Sequence, residues 1–169
     1  MSWRQVLEWD YRHIAVASST DGGETFSAGT IVSDDRWQLN ACPVSGAAIA
    51  ASNGNLNVVW YTAGEAGQAG YYIAQSTGGG AFGSRVLVSN NATSGMPVLL
   101  TTSAGLKLVH ASSEDRAILA VTTNQGTAFA EKDTIEHASS PVAVFANGAT
   151  YIAYVSTRDA NRSVWLAKR

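Results

Sequence analysis

Cysteine and proline are nearly missing from this chain, and charge is scarce. Among its 169 residues there is one cysteine, Cys42, which excludes an intrachain disulfide and any multi-cysteine metal site. No apolar run approaches the length of a membrane-spanning helix, and Met1-Ser2-Trp3-Arg4 does not open a signal peptide. The reading on those grounds is a soluble chain without a membrane partner, cytoplasmic by default. Charged residues make up only 14%, with a formal net charge of −2, so there is no basic field for nucleic acid. Apolar residues reach 46%, which excludes a disordered chain and allows one domain with a real core. Sixteen glycines with so few charges favour many short strands joined by tight turns.

The three prolines share one context. Pro43-Val44, Pro97-Val98 and Pro141-Val142 each open an apolar run that reaches a glycine turn, at Ser52-Asn53-Gly54, Ser103-Ala104-Gly105 and Ala146-Asn147-Gly148. A strand's first residue is a place where a sheet tolerates proline, because no ladder hydrogen bond is lost there. A second run follows each turn and ends near Trp60-Tyr61, His110 or Tyr154. A third strand comes next, at Tyr71–Ala74, Ala117–Ala120 and Val164–Ala167.

Ahead of these repeats lies Ser19-Thr20-Asp21-Gly22-Gly23-Glu24-Thr25-Phe26, flanked by strand-like His13–Ala17 and Gly29–Val32. Asp-Gly-Gly is hairpin-turn chemistry, since Asp bonds its own backbone two residues on and Gly supplies positive φ. Asp21 therefore reads as a turn-former and Phe26 as a core aromatic. Weaker copies of the turn occur at Ser76–Phe82 and Thr123–Phe129.

A repeat of about 50 residues holding four strands is the pattern of a propeller blade. With strands lettered A to D from the inside out, Val6-Leu7-Glu8-Trp9 reads as a B strand. The chain then runs B-C-D, A-B-C-D, A-B-C-D, A-B-C. The fold class expected is all-β: a β-propeller of four-stranded antiparallel blades, two whole and two partial, in a single domain. The blade boundaries fall near 3–33, 43–88, 97–135 and 141–168. The competing architecture, a β-sandwich, leaves three Pro-Val openings and the complete turn motif to chance. Unmatched strands at both ends leave open sheet edges, so the expected partner is a second copy that completes a ring.

Ser19, Asp21, Gly23, Thr25 and Phe26 fill every fixed position of S-x-D-x-G-x-T-[W/F], and the chain thereby resembles the sialidase-like (Asp-box, BNR) β-propellers. Ser33–Gly46, with Asp34-Asp35-Arg36-Trp37 and Ala41-Cys42-Pro43, resembles a second stretch common in bacterial members of that group. Enzymes of the family use three arginines for the substrate carboxylate, a Tyr nucleophile assisted by Glu, and an Asp acid/base. Their first arginine lies in an Arg-Ile-Pro segment. Here Arg4 is followed by Gln5, and no catalytic residue transfers.

Topology sorts the loops onto two faces. The A–B turns carry no charge, while the B–C and D–A connections hold most of the arginines and carboxylates. That polar face suggests binding to a hydrogen-bonding ligand such as a glycan. The candidate binding residues are Arg36, Trp37, Arg116, Arg158, Asp159 and Arg162, with Tyr154 nearby. Trp37 offers either a stacking platform for a sugar ring or a cap on its blade. Cys42 before Pro43 reads as a small buried residue. His13, His110 and His137 lie in different repeats, so neither a metal nor another cofactor is expected. Function is read as a glycan- or protein-binding module without hydrolase activity of its own. The alternative is a sialidase-type glycoside hydrolase whose site is completed by oligomerisation.

Overall fold

The computed structural model describes residues 1–41, 45–65, 67–77, 80–112, 114–124, 128–156, 158 and 161–169. Fourteen strands form four antiparallel sheets taken in chain order. Sheet 1 holds β1 (Ser2–Val6), β2 (Arg12–Val16) and β3 (Thr30–Ile31). Sheet 2 holds β4 (Ala47–Ser52), β5 (Asn55–Thr62), β6 (Gly70–Thr77) and β7 (Val86–Ser89). Sheet 3 holds β8 (Val98–Thr102), β9 (Gly105–Ala111), β10 (Arg116–Asn124) and β11 (Ala128–Glu136). Sheet 4 holds β12 (Ala138–Ala146), β13 (Ala149–Ser156) and β14 (Ser163–Lys168). Every strand pairs with its sequence neighbour, so the fold is a β-propeller of two whole and two three-stranded blades. No helix among the described residues is long and apolar enough to cross a membrane.

Two of the inner hairpins turn on Asn-Gly. Asn53 and Gly54 have φ of 52° and 76°, and Asn147 and Gly148 have 49° and 76°. Two successive positive φ values match the right-handed twist of the strands they join, and Asn followed by Gly reaches them at least cost.

The sheets pack face to face, β1 against β4, β4 against β8, and β8 and β9 against β12. The face of each sheet that looks toward the next one is here its leading face, and the opposite its trailing face. Ile14 and Val16 on the leading face of sheet 1 meet Val58 and Trp60 of sheet 2. Val59, Tyr71 and Ile73 of sheet 2 meet Leu99, Leu106 and Leu108 of sheet 3. Val109, Ala117 and Leu119 of sheet 3 meet Ile152 of sheet 4. The middle sheets are covered on both faces, which is why Val58, Val59 and Trp60 run on without a polar break.

The structure corrects three expectations. Val6–Trp9 is not a strand: β1 ends at Val6 and Glu8–Asp10 forms a 3-10 turn. Trp9 and Asp10 take positive φ there, 63° and 61°, which no strand accommodates. Pro141 does not open its strand. It lies inside β12, at a break in the pairing between Ser139 and Val142 where no ladder bond is asked of it. Phe26 is 47% exposed and is not a core aromatic, because among the described residues no sheet packs behind sheet 1 to receive it. Its counterparts Phe82 and Phe129 do pack against the cores behind their own sheets.

Candidate functional site

The connection from β3 to β4 builds one side of the polar face. Asp35 in it is fully buried; its Oδ2 accepts the indole N–H of Trp60 at 2.6 Å, and its other oxygen accepts from Arg85. Trp37 is only 9% exposed, edge-on to Tyr61 at 5.8 Å, with the Arg4 guanidinium 4.8 Å over its ring. A ring sandwiched in this way caps its blade, and its face is not open to a sugar. Arg4 donates to the carbonyls of Ser45 and Tyr61, both at 2.8 Å. Burial brings its pKa down to about 10; the carboxylate of Asp35 opposes that shift and the nearby Arg12 adds to it.

Arg36 stands apart from this buried group. Its backbone has φ of 48°, its side chain is exposed, and its Nε lies 3.6 Å from Asp34. With Leu7, Tyr11, His13 and Asp34 it lines a cleft of about 430 Å³. His13 is buried edge-on to Tyr11, and its Nε2 lies 3.6 Å from the other oxygen of Asp34.

Arg116 is committed to Glu114 and, at 3.9 Å, to Glu136. Arg158 and Arg162 are exposed in the connection from β13 to β14, and Asp159 lies outside the described residues, as do Cys42 and Pro43. Among the described residues, no group of His, Cys, Asp and Glu is arranged to hold a metal ion.

The turn motif is a closed hydrogen-bond system and not a site. Asp21 accepts the Ser19 hydroxyl at 2.6 Å, the Thr25 amide at 3.0 Å and the Thr25 hydroxyl. These donors, Ser19 foremost, hold its carboxyl well below the ordinary carboxylate range. Ser19 Oγ in turn accepts the Gly23 amide at 2.8 Å.

Sequence reasoning missed a second cleft, because it carries no charge. It measures about 510 Å³ and opens on the same polar face, where the connection after β7 and the first turn of β12 approach each other. Thr93, Ser94, Ser139 and Ser140 supply hydroxyls, Met96, Pro141 and Val142 supply apolar wall, and Tyr71 lies at its back. The one available signal was a cluster of Ser and Thr just ahead of Pro97 and Pro141. The Tyr71 hydroxyl donates to the Thr93 carbonyl at 3.1 Å, and burial raises its pKa, so it keeps its proton. Behind it, His110 tilts against the Tyr71 ring at 4.8 Å. Its Nδ1 donates to the Ala111 carbonyl at 2.9 Å and burial lowers its pKa, which leaves a neutral imidazole. None of the described residues lining this cleft is a carboxylate.

The class the fold defines is the β-propeller. Two solved structures share it: Bacteroides ovatus Xyloglucan PUL GH43B and Bombyx mori GH32 beta-fructofuranosidase BmSUC1. The first is 11% identical with a TM-score of 0.51, and covers 100% of this chain and 41% of its own. The second is 12% identical with a TM-score of 0.50, and covers 98% and 42%. The chain thus spans about two fifths of the length of either. No family model and no curated protein matches the chain.

Proposed function

We propose that the chain is a sialidase-like Asp-box propeller module that binds a neutral glycan without cleaving it. One observation carries this: a cleft of about 510 Å³ lined by hydroxyls and apolar side chains, with no carboxylate among its described residues. Sugars present alternating hydroxyls and C–H faces, and such a wall offers partners for both. The complete hydrogen-bonded turn of Ser19, Asp21, Gly23 and Thr25 supports the finer family reading. The likeness to two carbohydrate-active propellers supports the ligand class. Titration calorimetry with neutral oligosaccharides from a glycan array tests it. Binding is expected, lost in Ser94→Trp and kept in Arg36→Ala. Turnover of a fluorogenic glycoside by the purified chain, or binding indifferent to Ser94→Trp, overturns it.

A second reading has its own support. Tyr11, His13, Asp34 and Arg36 place an acid, a base and a cation around the cleft of about 430 Å³. A sialidase-type hydrolase completed by oligomerisation uses that cleft. It requires activity that tracks assembly and disappears in Asp34→Asn.

A further inference from the structure

Within the molecule, each leading face carries an aligned triple across its first three strands. In sheet 2 it is Ala48, Val59 and Ile73, and in sheet 3 it is Val98, Val109 and Leu119. Both triples belong to the packed cores between neighbouring sheets. The same pairing in sheet 4 aligns Val142, Ala153 and Leu166. Among the described residues no sheet is packed over this third triple: Leu166 is 68% exposed where Ile73 is fully buried and Leu119 nearly so. Val144 and Val164 are exposed as well, and a groove of about 210 Å³ runs between Val144, Tyr151 and Leu166.

At the other end, the trailing face of sheet 1 lacks its neighbour. Phe82 and Phe129 follow the third strands of sheets 2 and 3 and pack into the cores behind those sheets. Phe26 holds the same place after β2 and is left exposed, and on the same sheet Ile31, paired to the buried Ala15, is partly exposed. Among the described residues, no packing comparable to the internal interfaces joins sheet 1 to sheet 4.

We propose that the leading face of sheet 4 docks on the trailing face of sheet 1 of a second copy, head to tail, with Phe26 entering the groove at Leu166. The argument rests on continuity: the surfaces left over are of the two types that already meet three times inside the chain. Two copies close the ring with eight sheets, inside the range of four to eight blades that propellers adopt. A head-to-tail contact that closes avoids the open filament such contacts otherwise produce. The inference is independent of what the clefts bind.

Light scattering coupled to size exclusion tests it. The chain is expected to elute with twice its monomer mass. Leu166→Asp and Phe26→Asp, each folded by far-UV circular dichroism, are expected as monomers. An equimolar mixture of the two restores a two-chain species, because one intact interface remains. A monomeric parent chain overturns the proposal. So does a dimeric Phe26→Asp, which indicates that like faces pair. If the aspartate variants do not fold, Phe26→Cys and Leu166→Cys in a Cys42→Ala background are treated with a bismaleimide. Cross-links confined to the mixture support the head-to-tail contact. Cross-links in either variant alone, or none at all, overturn it.

Discussion

The indole N–H of Trp60 donates to Asp35 at 2.6 Å, and this bond ties the connection after β3 to the second strand of the next sheet. Asp35 is fully buried, and its other partner, Arg85, stacks over Tyr72 at 4.5 Å. Removing one member of such a group leaves an uncompensated buried charge. Asp35→Ala is expected to cost about 3–5 kcal/mol by chemical denaturation. The double variant Asp35→Leu, Arg85→Met is expected to recover most of that loss, because the charge and its partner leave together.

Arg4→Ala removes the donor to two buried carbonyls, those of Ser45 and Tyr61. The expected cost is about 2–4 kcal/mol, measured in the same way. Arg4→Lys recovers part of it, since an ammonium does not reproduce the planar fork. The sign with pH is opposite to that of an ion pair. The folded-state pKa, about 10, lies below the ordinary guanidinium value, so burial of this cation weighs against folding at neutral pH. That penalty fades as pH rises through the folded value, because the unfolded chain then binds more protons.

Asp21 carries the reverse sign. Its carboxyl is depressed by Ser19 and Thr25, so what it contributes is fully present above the ordinary carboxylate pKa of about 3.9. The contribution is lost as pH falls through the folded value. Carboxyl-carbon NMR is expected to show Asp21 titrating well below the other aspartates. Thr25→Val should bring it back toward them, with a small fall in melting temperature.

Trp37 and Arg36 are adjacent in sequence and opposite in consequence. Trp37→Ala removes a ring packed against Tyr61 and Arg4 and is expected to cost about 3–5 kcal/mol. Glycan affinity of the folded protein should not change. Arg36→Ala touches an exposed pair only, and its effect on stability should stay within about 0.5 kcal/mol.

The number of strands in each sheet was legible because turns and prolines punctuate this chain at regular intervals. Asn53-Gly54 and Asn147-Gly148 force hairpins whatever surrounds them, and strand composition fills the gaps. Val6–Trp9 misled because alternating apolar residues do not reveal the positive φ at Trp9 and Asp10. The site was less legible. Asp35 reads as one more loop charge beside Asp34, and only the fold buries one and exposes the other. Trp37 left two readings open in the sequence, and the position of Arg4, 33 residues earlier, decides between them. The hydroxyls of the cleft at Ser94 and Ser140 come from separate connections, and such residues announce nothing until the sheets bring them together.

Every ladder in the molecule joins strands that follow one another along the chain. Each strand of a sheet after the first finds its partner already made, and most closures span a short loop, which costs little entropy. Each sheet can therefore form in turn as the ribosome delivers it, and later sheets add by face packing on a surface already built. A nick between Ser89 and Val98 removes no rung of any ladder. The two pieces would keep their sheets, and the apolar contact of Val59 and Ile73 with Leu106 and Leu108 would bring them back together.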